Sequence, residues 1–147
     1  MKKTLNLKSK TPRCCYIENI EYARRKRGAM GIQAMEESLK MQLLLPRNKS
    51  DTKNGLYPLL IFVVGGGFRT PLVHARLPWM TSLAERGFVV AMPAYCGTET
   101  NKFPDMLIDI HSAIRYLRIH ANDYGIDPKK IVLMGGSAGA HIALQAA

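Results

Sequence analysis

The stretch that decides the fold is KKIVLMGGSAGAHIALQAA, residues 129–147. Ile131-Val132-Leu133-Met134 is apolar on both faces, as a strand covered above and below must be. Ala140–Ala147 is rich in Ala and Leu and is built to be a helix. Between them Gly135-Gly136-Ser137-Ala138-Gly139 satisfies G-x-S-x-G. A nucleophile exposed above a sheet needs a very sharp strand-to-helix turn. Ser137 in such a turn takes a strained backbone, and its neighbours must be small for strand and helix to approach. Gly135 and Gly139 stand two residues to either side and remove the clash. The helix starting at Ala138 aims its partly positive amino terminus at the same point. A glycine-rich turn without chemistry is the bland alternative; the strand before and the helix after favour the nucleophile.

Working outward, a second glycine run follows a second buried strand. Leu59-Leu60-Ile61-Phe62-Val63-Val64 is apolar on both faces, and Gly65-Gly66-Gly67 ends it. Such a run presents backbone N–H groups with no side chains in the way, which acyl transfer needs for the oxyanion of its tetrahedral intermediate. Phosphate cradling is the rival use, and the residues argue against it. Gly65-Gly66-Gly67-Phe68-Arg69-Thr70 lacks the Gly-Lys-Ser/Thr ending of a P-loop, and Thr70 stands where G-x-G-x-x-G needs its last glycine.

The rest of the chain alternates in the same way. Trp79–Arg86 reads as a helix closed by Gly87, and Phe88–Met92 as a buried strand stopped by Pro93. Pro104–Asn122 reads as a long helix, with Leu107, Ile110, Ile114 and Leu117 along one face. Asp127-Pro128 reads as a turn. Upstream, Tyr16–Tyr22 and Ser38–Leu45 read as strands. Asn48–Tyr57 is a turn-rich loop with Asn54-Gly55 its tightest signal. Strands alternating with helices predict an α/β fold with a mostly parallel sheet and flanking helices.

Composition sets the outer bounds. The chain has 147 residues, 47% apolar and 22% charged, which fits one domain with a packed core and excludes wholesale disorder. The longest apolar run, Leu59–Val64, has six residues, far short of a membrane span. No apolar stretch follows the basic amino terminus as a secretory signal requires, so the expected location is cytoplasmic. Cys14, Cys15 and Cys96 are odd in number and lack metal or disulfide spacing, so reduced thiols are expected. The net charge is +10, but residues 1–30 hold nine Lys or Arg against Glu18 and Glu21. The excess is therefore a basic flexible tail, residues 1–15, plus the cluster Arg24-Arg25-Lys26-Arg27. Nucleic-acid binding would use such a patch, but no aromatic interleaving accompanies it. A solvated loop after a strand, ended by Gly28, explains the cluster as well.

Both glycine motifs together resemble the α/β-hydrolase superfamily, and within it the carboxylesterase and lipase branch related to hormone-sensitive lipase and to small bacterial acyl and carbohydrate esterases. The resemblance spans residues 16–147. YPLLIFVVGGGF (57–68) is similar to that branch's strand and oxyanion loop, and LAERGFVVAMPAY (83–95) to its next helix and strand. Residues 103–147 are similar to its helix, strand, elbow and following helix. The resemblance implies that Ser137 is the nucleophile and that the backbone N–H groups of Gly66, Gly67 and Ala138 form the oxyanion hole. It implies a small-molecule ester as substrate and needs no metal or organic cofactor.

Three positions depart from the family pattern: Val64 replaces a common His, Cys96 a common Arg after the matched Tyr95, and Gly136 a frequent acid. The larger departure concerns the triad, which in this family runs Ser, then Asp or Glu, then His. Only His141 follows Ser137, and the helix axis carries it away from the Ser hydroxyl. His74, His111 and His120 lie upstream. The expectation is therefore that the acid and base lie in a carboxyl-terminal half beyond Ala147, and that Ile131–Met134 lies at or near a sheet edge. The principal alternative is a truncated, non-catalytic α/β domain or interaction module; a basic nucleic-acid-binding protein is the third.

Overall fold

The structure is a computed structural model, and it describes residues 14–27, 35–47, 54–99 and 101–147. The basic tail up to residue 13, Gly28 and most of the 48–57 loop lie outside the described residues. Two strands open the fold, β1 (Cys14–Arg27) and β2 (Met35–Pro46). Then come β3 (Tyr57–Val63), a 3-10 turn (Val73–Arg76), α1 (Leu77–Ala84), β4 (Val89–Pro93), α2 (Asp105–Ile119), β5 (Ile126–Gly135) and α3 (Ala138–Gln145). The sheet order is β1-β2-β4-β3-β5. β4, β3 and β5 are mutually parallel, and they carry both glycine motifs at their carboxyl ends. β2 and β1 add an antiparallel ribbon at one side.

Burial follows the expected logic for the central strands. On one face Leu59, Ile61, Val89 and Ala91 pack with Leu39, Met41 and Leu43 of β2 and with Ala113 and Leu117 of α2. On the other, Leu60, Phe62, Val90 and Met92 pack against Met80 and Ala84 of α1. α3 joins the α2 side, where Ile142 and Ala143 meet Val63 and Ile110. Each fully buried side chain of this size contributes about 2 kcal/mol. α1 begins earlier than the sequence suggests because Pro78 fits the first turn, where its missing N–H has no intrahelical partner.

Three expectations need correction. The cluster Arg24–Arg27 is not a loop; it continues β1 as a strand. In the ribbon's register Arg25 stands opposite Glu37 and Lys26 opposite Glu36, and the Arg25 side chain reaches Asp105 and Asp109 of α2. Cys14 and Cys15 likewise belong to β1. Asp127-Pro128 does not end a segment but lies inside β5. The pairing steps from Tyr57↔Ile126 to Leu59↔Ile131, so the residues between them bulge from the ladder. Proline has no N–H to give a ladder, and the Asp127 side chain accepts the Lys129 N–H at 3.1 Å instead. Finally, among the described residues Ile131–Met134 is not covered on both faces. Among the described residues β5 pairs only with β3, as expected of an edge, and Val132 is 47% exposed.

The buried stripe of α2 is also rotated from the expected one. Met106, Asp109, Ile110, Ala113 and Leu117 are buried, whereas Leu107 and Ile114 are only half so. A carboxylate thus sits fully inside the core. No helix among the described residues is long and apolar enough to cross a membrane.

Candidate active site

The site forms where β3 and β5 end side by side. Ser137 has φ 53° and ψ −127° and is exposed. A non-glycine residue holds such a conformation only where its surroundings over-determine it, at a cost of about 1–3 kcal/mol. The surroundings here are glycines. A Cβ on Gly135 would strike the Gly139 carbonyl, and one on Gly139 would strike the Val63 carbonyl of β3. A Cβ on Gly65 would strike the Gly136 carbonyl and come within 3.1 Å of the Ser137 Cβ. The two glycine loops are therefore pressed against each other, with the Ser137 side chain left free at their junction.

Three backbone donors surround this junction in the sequence: Gly66, Gly67 and Ala138. Among the described residues none of their N–H groups donates to a backbone carbonyl, although their neighbours' do. Gly139 N–H donates to the Gly136 carbonyl at 2.9 Å and Arg69 N–H to the Gly66 carbonyl at 3.1 Å. Gly66 and Gly67 are exposed. The Gly66–Gly67 peptide places its carbonyl inside that turn. Because the peptide is planar and trans, the Gly67 N–H points the opposite way, out of the turn.

The loop after β4 supports the glycine run. The buried Tyr95 hydroxyl donates to the Val64 carbonyl at 2.8 Å. Thr98 N–H donates to the Phe68 carbonyl at 2.9 Å. Between them, Cys96 N–H donates to Asp109 Oδ2 at 2.9 Å. Arg25 Nε lies 2.6 Å from Asp109 Oδ1, and Arg25 Nη1 lies 3.3 Å from Asp105. Burial, with a smaller effect of Glu99, pushes the Tyr95 hydroxyl up to about 12. Burial, then the hydrogen bond with Asp109, pushes the Cys96 thiol up to about 12. Neither is a nucleophile near neutrality. Sequence reasoning does not single out Asp109, and it reads Arg25 only as one member of a basic cluster. The available signal is that Asp109 continues the Ala113–Leu117 stripe one turn earlier, where a carboxylate demands a partner.

The four histidines are dispersed. His141 sits one helical turn beyond Ser137, and its ring stands edge-on to Phe68, with centroids 5.7 Å apart. Its backbone, not its ring, bonds to Ser137. His120 does have an acid partner, Asp123 Oδ2 at 2.8 Å. That pair lies just before the start of β5, whereas Ser137 follows its end, so the two stand at opposite ends of the strand. His74 is exposed in the 3-10 turn, and His111 lies half-buried on α2. Among the described residues no histidine ring is hydrogen-bonded to Ser137. Nor does any group of three or more His, Cys, Asp or Glu among them suit a metal ion. Beside the site, Phe68, Phe103, Met106, Leu107, His141 and Ile142 wall a largely apolar cavity of about 240 Å³.

Comparison with known proteins bears on the family and the fold. The BD-FAE family model matches residues 41–147. The probable carboxylic ester hydrolase LipM of Mycobacterium tuberculosis is 35% identical over 94 residues, 63% of this chain and 22% of that protein. The isoprenylcysteine alpha-carbonyl methylesterase ICME of Arabidopsis thaliana is 35% identical over 107 residues, 67% of this chain and 24% of its own length. Among solved structures, the thermophilic esterase Est2 of Thermogutta terrifontis superposes with a TM-score of 0.63 at 34% identity, covering 73% of this chain and 38% of that one. The chain thus spans about a fifth to a quarter of the length of the curated relatives it matches.

Proposed function

The chain belongs to the BD-FAE family, with the α/β-hydrolase fold of carboxylesterases, and from that premise we propose that it carries the nucleophile and oxyanion hole of a carboxylic ester hydrolase. The observation that carries the reading is the conformation of Ser137: positive φ, exposed side chain, and, packed against it, a glycine loop whose Gly66 and Gly67 N–H groups donate to no backbone carbonyl among the described residues. Ser137 Oγ attacks the ester carbonyl carbon, and the Gly66, Gly67 and Ala138 N–H groups receive the negative charge that develops on the carbonyl oxygen. The start of α3 adds its dipole. Collapse of the tetrahedral intermediate expels the alcohol and leaves an acyl-serine, which water cleaves. The apolar cavity beside Phe68 and His141 suits an apolar part of a small ester.

Proton transfer needs a base on the Ser137 hydroxyl. The described histidines are not so placed, and we propose that a histidine and its acid follow α3 in a longer polypeptide, as the greater length of the relatives allows. A fluorophosphonate probe tests the reading in the protein carrying that sequence. The label is expected on Ser137 and absent from Ser137→Ala, with p-nitrophenyl ester hydrolysis lost in parallel. Hydrolysis that survives Ser137→Ala overturns it, and a protein that takes no label is the non-catalytic domain.

A further inference from the structure

We propose that Tyr95 is a positioning residue for the oxyanion hole, acting through the Val64 carbonyl. The proposal rests on the reading that Gly66 and Gly67 supply oxyanion donors. Glycine peptides are the softest in the chain, so a run of three does not hold N–H groups in one direction by itself. Electrostatic stabilisation of a transition state needs donors already oriented before reaction. Something outside the run must orient it.

The loop after β4 does so at both ends. At the incoming end the Tyr95 hydroxyl holds the Val64 carbonyl at 2.8 Å, fixing the peptide plane that leads into Gly65. At the outgoing end Thr98 N–H holds the Phe68 carbonyl at 2.9 Å, and Gly97 packs so closely that an added Cβ would lie 2.8 Å from the Arg69 carbonyl carbon. Tyr95 is 1% exposed, so its hydroxyl has no water to exchange with, and the Val64 carbonyl would lose its partner if the hydroxyl were removed. The loop that carries Tyr95 is itself fixed, because Cys96 N–H is held by the buried Asp109. A chain of fixed groups therefore runs from the core of α2 to the glycine run, without touching substrate.

Such a residue acts on the transition state and leaves ground-state binding alone. Tyr95→Phe deletes one oxygen and keeps the ring. In the full-length protein the expected result is a fall in kcat for a p-nitrophenyl ester of about 10-fold, with KM within about twofold, and an equal fall in the rate of fluorophosphonate labelling. Tyr124→Phe, a hydroxyl deletion at the far end of the sheet, is expected to keep the parental kcat. Thr98→Pro, which removes the donor at the other end of the glycine run, is the second variant and is expected to lower kcat in the same way. Parental kcat in folded Tyr95→Phe, or a change confined to KM, overturns the proposal. Activity that persists in Ser137→Ala overturns the functional reading and this proposal with it; loss in Ser137→Ala with full kcat in Tyr95→Phe overturns the positioning role alone.

Discussion

Arg25, in the strand at the outer edge of the sheet, reaches the carboxylate of Asp109 on α2, with Nε 2.6 Å from Oδ1. Asp109 has no exposed surface, and the Arg25 side chain is only 20% exposed. The contact ties β1, which lies outside the family match, to the helix that carries the site's supporting loop. Removing one member of a buried pair leaves the other charge without compensation. Arg25→Ala is expected to destabilise the protein by about 3 kcal/mol in urea unfolding. Arg24→Ala, which breaks the exposed pair with Glu21, is expected to leave the midpoint unchanged. Equal midpoints for the two variants would show that the buried pair contributes nothing.

The strained turn at Ser137 makes stability and chemistry separable. Ser137→Gly removes the nucleophile and also relieves the positive φ, which glycine adopts without strain. Its melting point is expected to exceed that of Ser137→Ala, by about 1 kcal/mol in stability. Both variants are expected to be inert to fluorophosphonate. A Ser137→Gly protein less stable than Ser137→Ala would contradict the strain.

Glycines 65 and 139 serve close approach rather than flexibility, since neither has a positive φ. Gly139→Ala would drive a methyl group into the Val63 carbonyl, and Gly65→Ala into the Gly136 carbonyl. Each is expected to cost about 2–4 kcal/mol, because backbone carbonyls cannot turn aside as side chains do. Gly66→Ala, with open space around its Cβ position, is expected to stay folded with a near-parental midpoint. Thermal unfolding of the three variants checks the order.

Alkaline pH should unfold the protein through its buried acids. The Cys96 thiol and the Tyr95 hydroxyl are both held up to about 12 by burial. In the unfolded chain these groups ionise near about 8.5 and about 10. Above about pH 9 the unfolded state therefore binds fewer protons than the folded one, and stability falls as pH rises towards about 12. The urea midpoint is expected to be level below about pH 8 and to drop steadily above about pH 9. Native Cys96 is expected to resist iodoacetamide at about pH 8, where a free thiol is partly ionised. A midpoint that rises across this interval would refute the assignment.

The elbow was legible because its cause is local. G-x-S-x-G between an apolar run and an Ala-rich segment states its own turn, since the small residues that permit it lie within two positions of Ser137. The strand before Gly65 was legible for the same reason. Reading failed where a local signal met a distant partner. Asp127-Pro128 carries a strong turn signal, yet Tyr57 and Leu59 on β3 keep β5 in register on either side and convert the turn into a bulge. Arg24–Arg27 looks like a solvated run, yet it pairs with β2 and Arg25 reaches the buried Asp109 of α2, far along the chain.

By itself, the sequence determined the alternation of strands and helices, the sharp turn at Ser137 and the side-chain-free run at Gly65–Gly67. Periodicity and turn sterics are short-range, so adjacent residues suffice to specify them. Tertiary structure alone decided that Gly65 lies against Gly136, that Tyr95 holds the Val64 carbonyl, and that Arg25 neutralises Asp109. Those pairs are far apart along the chain, and their contact depends on strand order and register, which arise only when the whole sheet buries its two faces together.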